Sequence, residues 1–77
     1  MLTDLERLSP GATAEVVGIS GGLGMRAKLE AMGLREGKQV RKLGAQFMRG
    51  PVTVVVDGRQ MAMGRGIARR IEVELRD

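Results

Sequence analysis

The chain has 77 residues, 13 basic and 9 acidic side chains, a formal charge of +4, and neither cysteine nor histidine. That length predicts one domain over residues 1–77, with a stability of only a few kcal/mol, at most about 5–8. The composition excludes disulfides, thiolate nucleophiles, zinc-finger spacings and imidazole general bases.

Leu2, Leu5 and Leu8 recur at helical spacing, and Thr3 with Glu6 three residues later reads as a capping box. A short N-terminal helix over residues 2–8 is the prediction. It lacks the basic and apolar regions of a secretory leader. Ser9-Pro10-Gly11 then turns the chain into a first strand over residues 12–19. Its apolar positions (Ala14, Val16, Val17 and Ile19) break strict alternation, which predicts a bulge near Val17 or Gly18. Ser20-Gly21-Gly22-Leu23-Gly24 leads to a helix over residues 25–32. There Met25, Leu29 and Met32 share one face, and Arg26, Lys28 and Glu30 face outward. Gly33 fits the left-handed residue after the helix, and Leu34 can fold back on Leu29 to complete a Schellman end.

A second strand follows over residues 38–43. The loop Gly44-Ala45-Gln46-Phe47-Met48-Arg49-Gly50 comes next, with the only aromatic residue of the chain, Phe47. Pro51 has no amide hydrogen and belongs at the first position of the next strand. Asp57-Gly58 supplies the two positive-φ positions of a type I′ hairpin turn. Pairing across it sets Val56 against Arg59, Val54 against Met61 and Val52 against Met63. Val52, Val54, Met61 and Met63 therefore share an apolar face. Ile67 and Ala68 read as one buried helical turn. In the last strand Ile71, Val73 and Leu75 alternate with Glu72 and Glu74. Met25, Met32, Met61 and Met63 read as filler of a soft aliphatic core. The expected architecture is mainly β: a small, partly open barrel of about five strands, with one helix inserted after the first strand and the short helix at the N-terminus.

No apolar run approaches the ~20 residues of a membrane span, so a soluble, intracellular protein is expected. Between residues 37 and 70 eight basic residues (Lys38, Arg41, Lys42, Arg49, Arg59, Arg65, Arg69, Arg70) face one acid, Asp57. Such an excess suits an acidic partner or nucleic acid.

Several phrases then coincide in order: Leu8-Ser9-Pro10-Gly11, Gly21-Gly22, Leu29-Glu30-Ala31-Met32-Gly33-Leu34-Arg35-Glu36-Gly37, Phe47-Met48-Arg49-Gly50-Pro51-Val52, and Met61-Ala62-Met63-Gly64-Arg65 with Ala68 and Ile71-Glu72-Val73. Together they closely resemble the FeoA family, ferrous iron transport protein A, from about Leu5 to Val73. The resemblance implies an SH3-like barrel and a small cytoplasmic, bacterial protein working beside FeoB. That transporter is embedded in the membrane and carries a cytosolic GTP-binding domain. A similar barrel forms the C-terminal domain of some iron-dependent repressors, but no helix-turn-helix is present here.

The family is often described as binding transition metals, yet this chain offers no imidazole or thiolate. Glu72 and Glu74 share a face of what reads as an edge strand, where paired carboxylates more often protect the edge than hold a metal. No metal site and no cofactor are expected. Catalysis is not expected either, because Gly21-Gly22-Leu23-Gly24 lacks the Gly-Lys-Ser/Thr ending of a phosphate loop. The leading expectation is an interaction module docking on FeoB, through its GTP-binding domain or its membrane portion. The candidate surface joins Phe47, Met48, Arg49 and Pro51 to Met25 and Arg26. A basic nucleic-acid-binding barrel is the alternative, disfavoured because stacking platforms need aromatic residues. An open edge also leaves room for a weak homo-oligomer.

Overall fold

The computed structural model describes residues 1–44 and 50–75. Six strands form one antiparallel sheet: β1 (Leu2–Asp4), β2 (Thr13–Ile19), β3 (Gln39–Lys42), β4 (Val52–Val56), β5 (Arg59–Met63) and β6 (Ile71–Leu75). Their order across the sheet is β1-β6-β2-β3-β4-β5. Helix α1 (Leu23–Ala31) follows β2, and the single turn α2 (Arg65–Ala68) links β5 to β6. The sheet curls around one aliphatic core, in which Leu5, Leu8, Val16, Leu34, Val40, Val54, Ile71 and Val73 are all but inaccessible to water. The mainly β, partly open SH3-like fold expected of the sequence is the fold observed.

Where the signals are local, the elements follow them. The hairpin pairs Val56 with Arg59, Val54 with Met61 and Val52 with Met63. Asp57 and Gly58 both adopt positive φ, 52° and 77°. The β2–β6 register slips between Val16 and Gly18, so Val17 is the extra, bulged residue and stands exposed. That bulge restores Ile19 to the inner face after Val16. Helix α1 ends in the Schellman geometry: the Leu34 amide donates to the Leu29 carbonyl at 3.0 Å, and the Gly33 amide to that of Glu30 at 3.0 Å.

Four expectations are corrected. Residues 2–4 form a strand instead of the first turn of a helix, with Thr3 paired to Val73. One turn follows, closed by the Leu8 amide on the Asp4 carbonyl, and the Asp4 carboxylate caps it by accepting from the Arg7 amide at 2.9 Å. The β6 strand is no edge, because β1 and β2 flank it on both sides. Met32 caps α1 with 43% of its surface exposed, whereas Met63 is buried and Met25 and Met61 are partly so. Ile67 is 38% exposed, leaving Ala68 as the buried residue of α2.

Candidate interaction surface

The two free edges of the sheet are β1 and β5. The chain just past each edge meets its counterpart in a cluster of charge. Glu6 follows β1 and Arg65 follows β5. The Arg65 guanidinium donates twice to Glu6 Oε2, from Nε at 3.1 Å and Nη2 at 2.7 Å, and Arg69 Nε donates to Oε1 at 3.0 Å. Lys42, turned inward beside Val54 at the end of β3, donates from Nζ to the Glu6 carbonyl at 2.6 Å. Four side chains from distant parts of the chain thus clasp the open seam of the barrel.

The cluster is electrostatically coherent. Hydrogen bonds from Arg65, then those from Arg69 and the charges of both arginines, hold the Glu6 carboxyl below its ordinary pKa against the opposing effect of burial. Burial pushes the Lys42 ammonium down, partly offset by the nearby Glu6 charge. A carboxylate with a lowered pKa stabilises the fold above the ordinary glutamate range, and that contribution is lost as pH falls through the lowered value. Glu6→Gln is therefore expected to lower the melting temperature at pH 7 and to flatten its fall between about pH 5 and pH 3. Parallel melting curves of wild type and variant across that window would contradict the clasp.

Beside the clasp lies a cavity of about 230 Å³ whose walls include Pro10, Lys42, Gly50 and Pro51. Pro51 is exposed at its rim, directly before β4. Phe47, Met48 and Arg49 lie outside the described residues. Met25 and Arg26 sit in the first turns of α1 and do not line this cavity. Met25 packs partly against the core, and Arg26 pairs with Glu36 at 3.0 Å and Glu30 at 3.5 Å, tying the helix to the turn after it. A wider groove of about 530 Å³ runs between β1 and the end of β2, with Asp4, Arg7, Arg70 and Glu72 on its walls. Glu72 and Glu74 both project from the outer face of β6, and Glu74 is engaged by the N-terminal ammonium at 2.9 Å.

Among the described residues no group of three or more carboxylates is placed to hold a metal ion. The basic stretch is also less bare than its composition implies. Lys38 pairs with Asp57 at 2.8 Å, and Arg65 and Arg69 are spent on Glu6. Arg41, Arg59 and Arg70 have no carboxylate partner among the described residues. The clasp was not readable from the sequence: Glu6 looks like a capping residue, and its partners lie 59 and 63 positions away. Those separations carry no local signal.

The sequence profile of the FeoA domain matches residues 3–75. Among solved structures, the chain is similar to an iron uptake regulatory protein (FeoA), at 36% identity and a TM-score of 0.88, with 99% of each chain covered. It is also similar to the FeoA protein of Chlorobium tepidum, at 27% identity and a TM-score of 0.89, with 97% of this chain and 71% of that one covered. A manganese-dependent transcriptional repressor shares the fold at 22% identity and a TM-score of 0.86, but the match takes in only 42% of the repressor. No curated protein matches the chain. With its profile matched over almost the whole sequence, this chain belongs to the FeoA family, which is associated with ferrous iron transport.

Proposed function

We propose that the protein is a cytoplasmic accessory or regulatory component of ferrous iron uptake, acting without catalysis by contact with the membrane transporter FeoB. The observation that carries this reading is the family match over residues 3–75, joined to 36% identity across the full length of an iron uptake regulatory protein. No helix among the described residues is long and apolar enough to cross a membrane, in keeping with a partner that supplies the membrane part. Small barrels recognise proteins through edges and loops and need no reacting group to do so. Contact through Met25, Arg26, Phe47, Met48, Arg49 and Pro51 is part of this proposal.

The test is capture of the transporter's cytosolic GTP-binding domain by this protein, with and without nucleotide and at two salt concentrations. Salt-sensitive capture is the expected result. Alanine at both Phe47 and Met48 is expected to weaken capture severalfold with the melting temperature unchanged. Absence of capture from both the isolated domain and the whole transporter in detergent would refute the reading. The basic excess between residues 37 and 70 keeps nucleic acid as the competing reading. Engagement of Lys38, Arg65 and Arg69 by carboxylates weighs against it, since paired cations release fewer counterions on meeting phosphate. A mobility shift of DNA or RNA at low salt would favour it instead.

A further inference from the structure

The hairpin geometry exposes a row of main-chain groups with no partner among the described residues. In a two-residue type I′ hairpin the residues flanking the turn exchange both hydrogen bonds, and the pattern alternates from there. Val56 with Arg59, Val54 with Met61 and Val52 with Met63 are then the bonded pairs. Gln60 and Ala62 are the intervening residues, so their N–H and C=O groups point away from β4. The bond from the Leu43 amide to the Thr53 carbonyl at 2.9 Å confirms the phase, because Thr53, opposite Ala62, directs its carbonyl to the β3 side. Gln60 and Ala62 are exposed, and no described residue bonds their outward groups.

Natural edge strands are blunted by proline, inward charge, bulges or cover. Among the described residues none of these guards residues 60–62, and the one charged side chain of the strand, Arg59, stands at its turn end. The opposite edge, β1, is only three residues long and is tied at its end by the N-terminal ammonium on Glu74. The seam cluster of Glu6 with Arg65 lies beyond Met63 and leaves the turn-proximal part of β5 open.

The charge on this side selects a partner. Arg59 stands on the edge strand itself, exposed and without a carboxylate among the described residues. The one acid of the hairpin, Asp57, is already held by Lys38. Arg41 lies three strand spacings from an added strand, about 14 Å, and contributes field more than contact. A second copy of this chain would bring Arg59 and a charge of +4 against their like. An acidic strand meets no such repulsion.

We propose that the free edge of β5 is a docking site for an extended acidic segment of a partner protein, which joins the sheet as a seventh strand. Main-chain bonds to Gln60 and Ala62 supply the affinity, and Arg59 selects for acidic side chains. The proposal rests on the reading of this protein as an interaction module, and deepens it by naming the contact.

The probe is a capped synthetic peptide alternating glutamate with valine, with its lysine-for-glutamate counterpart as control. Hydrogen exchange is followed on the whole isotope-labelled chain. With the acidic peptide, exchange at Gln60 and Ala62 is expected to slow about ten-fold or more, while Met61, already bonded to β4, changes little. Ala62→Pro removes one outward donor and no ladder bond, a position where an edge strand tolerates proline. Both Ala62→Pro and Arg59→Glu are expected to weaken acidic-peptide binding by about ten-fold. Unchanged exchange at Gln60 and Ala62 in the wild type, or equal binding of the lysine peptide, would overturn the proposal, whether or not the proline variant folds. Equal capture of the transporter by wild type and a folded Ala62→Pro would also overturn the edge and leave the accessory role standing. Protection by the acidic peptide with no capture of the transporter would support the edge and remove FeoB as its partner.

Discussion

Replacing Leu34 by alanine is expected to remove about 2–5 kcal/mol of stability, the largest single effect foreseen for this chain. Leu34 has no accessible surface and sits where the end of α1 meets the barrel. Helix α1 has few other anchors: Met25 packs partly against the core, and Arg26 pairs with Glu36 at the surface. Leu29 is its only buried residue, and Gly22 at its start offers no side-chain cap. The alanine variant leaves a void that neighbouring β-strands cannot close, because hydrogen bonds fix their spacing. A domain of this size has at most about 5–8 kcal/mol in total, so the variant should be partly unfolded at 37 °C. Urea denaturation followed by circular dichroism decides it. A loss below about 1 kcal/mol would show that the helix end packs more loosely than the structure describes.

Gly33→Val is expected to cost about 2 kcal/mol, for a different reason. Gly33 has φ of +98°, and a Cβ added there would meet nothing within 4 Å. A Cβ there collides with nothing, so the main cost is the backbone conformation that a β-branched residue resists. Gly33→Ala should lose about half as much, lowering the melting temperature by roughly 4–8 °C. Gly66 gives the contrast. It too has open space around it, but its φ lies outside the left-handed region and it sits in α2, so alanine there should be neutral or stabilising by up to about 1 kcal/mol. Equal melting temperatures for Gly33→Val and wild type would refute the left-handed helix end. Because Gly33 and Leu34 share one turn, their combined effect should fall short of the sum.

The candidate surface divides along the same line as the fold. Glycine at a left-handed position, Asp57-Gly58 at a two-residue turn, and the apolar alternation of β4 and β6 are readable because the forces behind them act within a few residues. The bulge at Val17 was readable too, since two adjacent valines cannot both face inward on a regular strand. The β5 edge follows from the hairpin once its turn type is known. Its being unpaired does not, because that depends on where β1 and β6 go.

Residues 2–8 show how a local signal can be overruled. Leu2, Leu5 and Leu8 have helical spacing, and Thr3 with Glu6 imitates a capping box. Yet β6 is buried between two neighbours and needs hydrogen-bond partners on both sides. The chain over residues 2–4 supplies them on one side by pairing with residues 72–74. Leu5 and Leu8 still enter the core, from a turn capped by Asp4 in place of a helix capped by Thr3. Glu6 is thereby released to meet Arg65 and Arg69 across the seam.

By itself, then, the sequence determined the hairpin, the helix and its glycine-terminated end, the bulge, the aliphatic core and the family. Each rests on short-range conformational preference or on a pattern repeated along a few residues. Only the tertiary structure decided that the last strand is central, that β1 and β5 are the edges, and which cations are spent on internal carboxylates. Those outcomes depend on hydrogen bonds and ion pairs between residues some sixty positions apart, where chain proximity says nothing and closure of the barrel says everything.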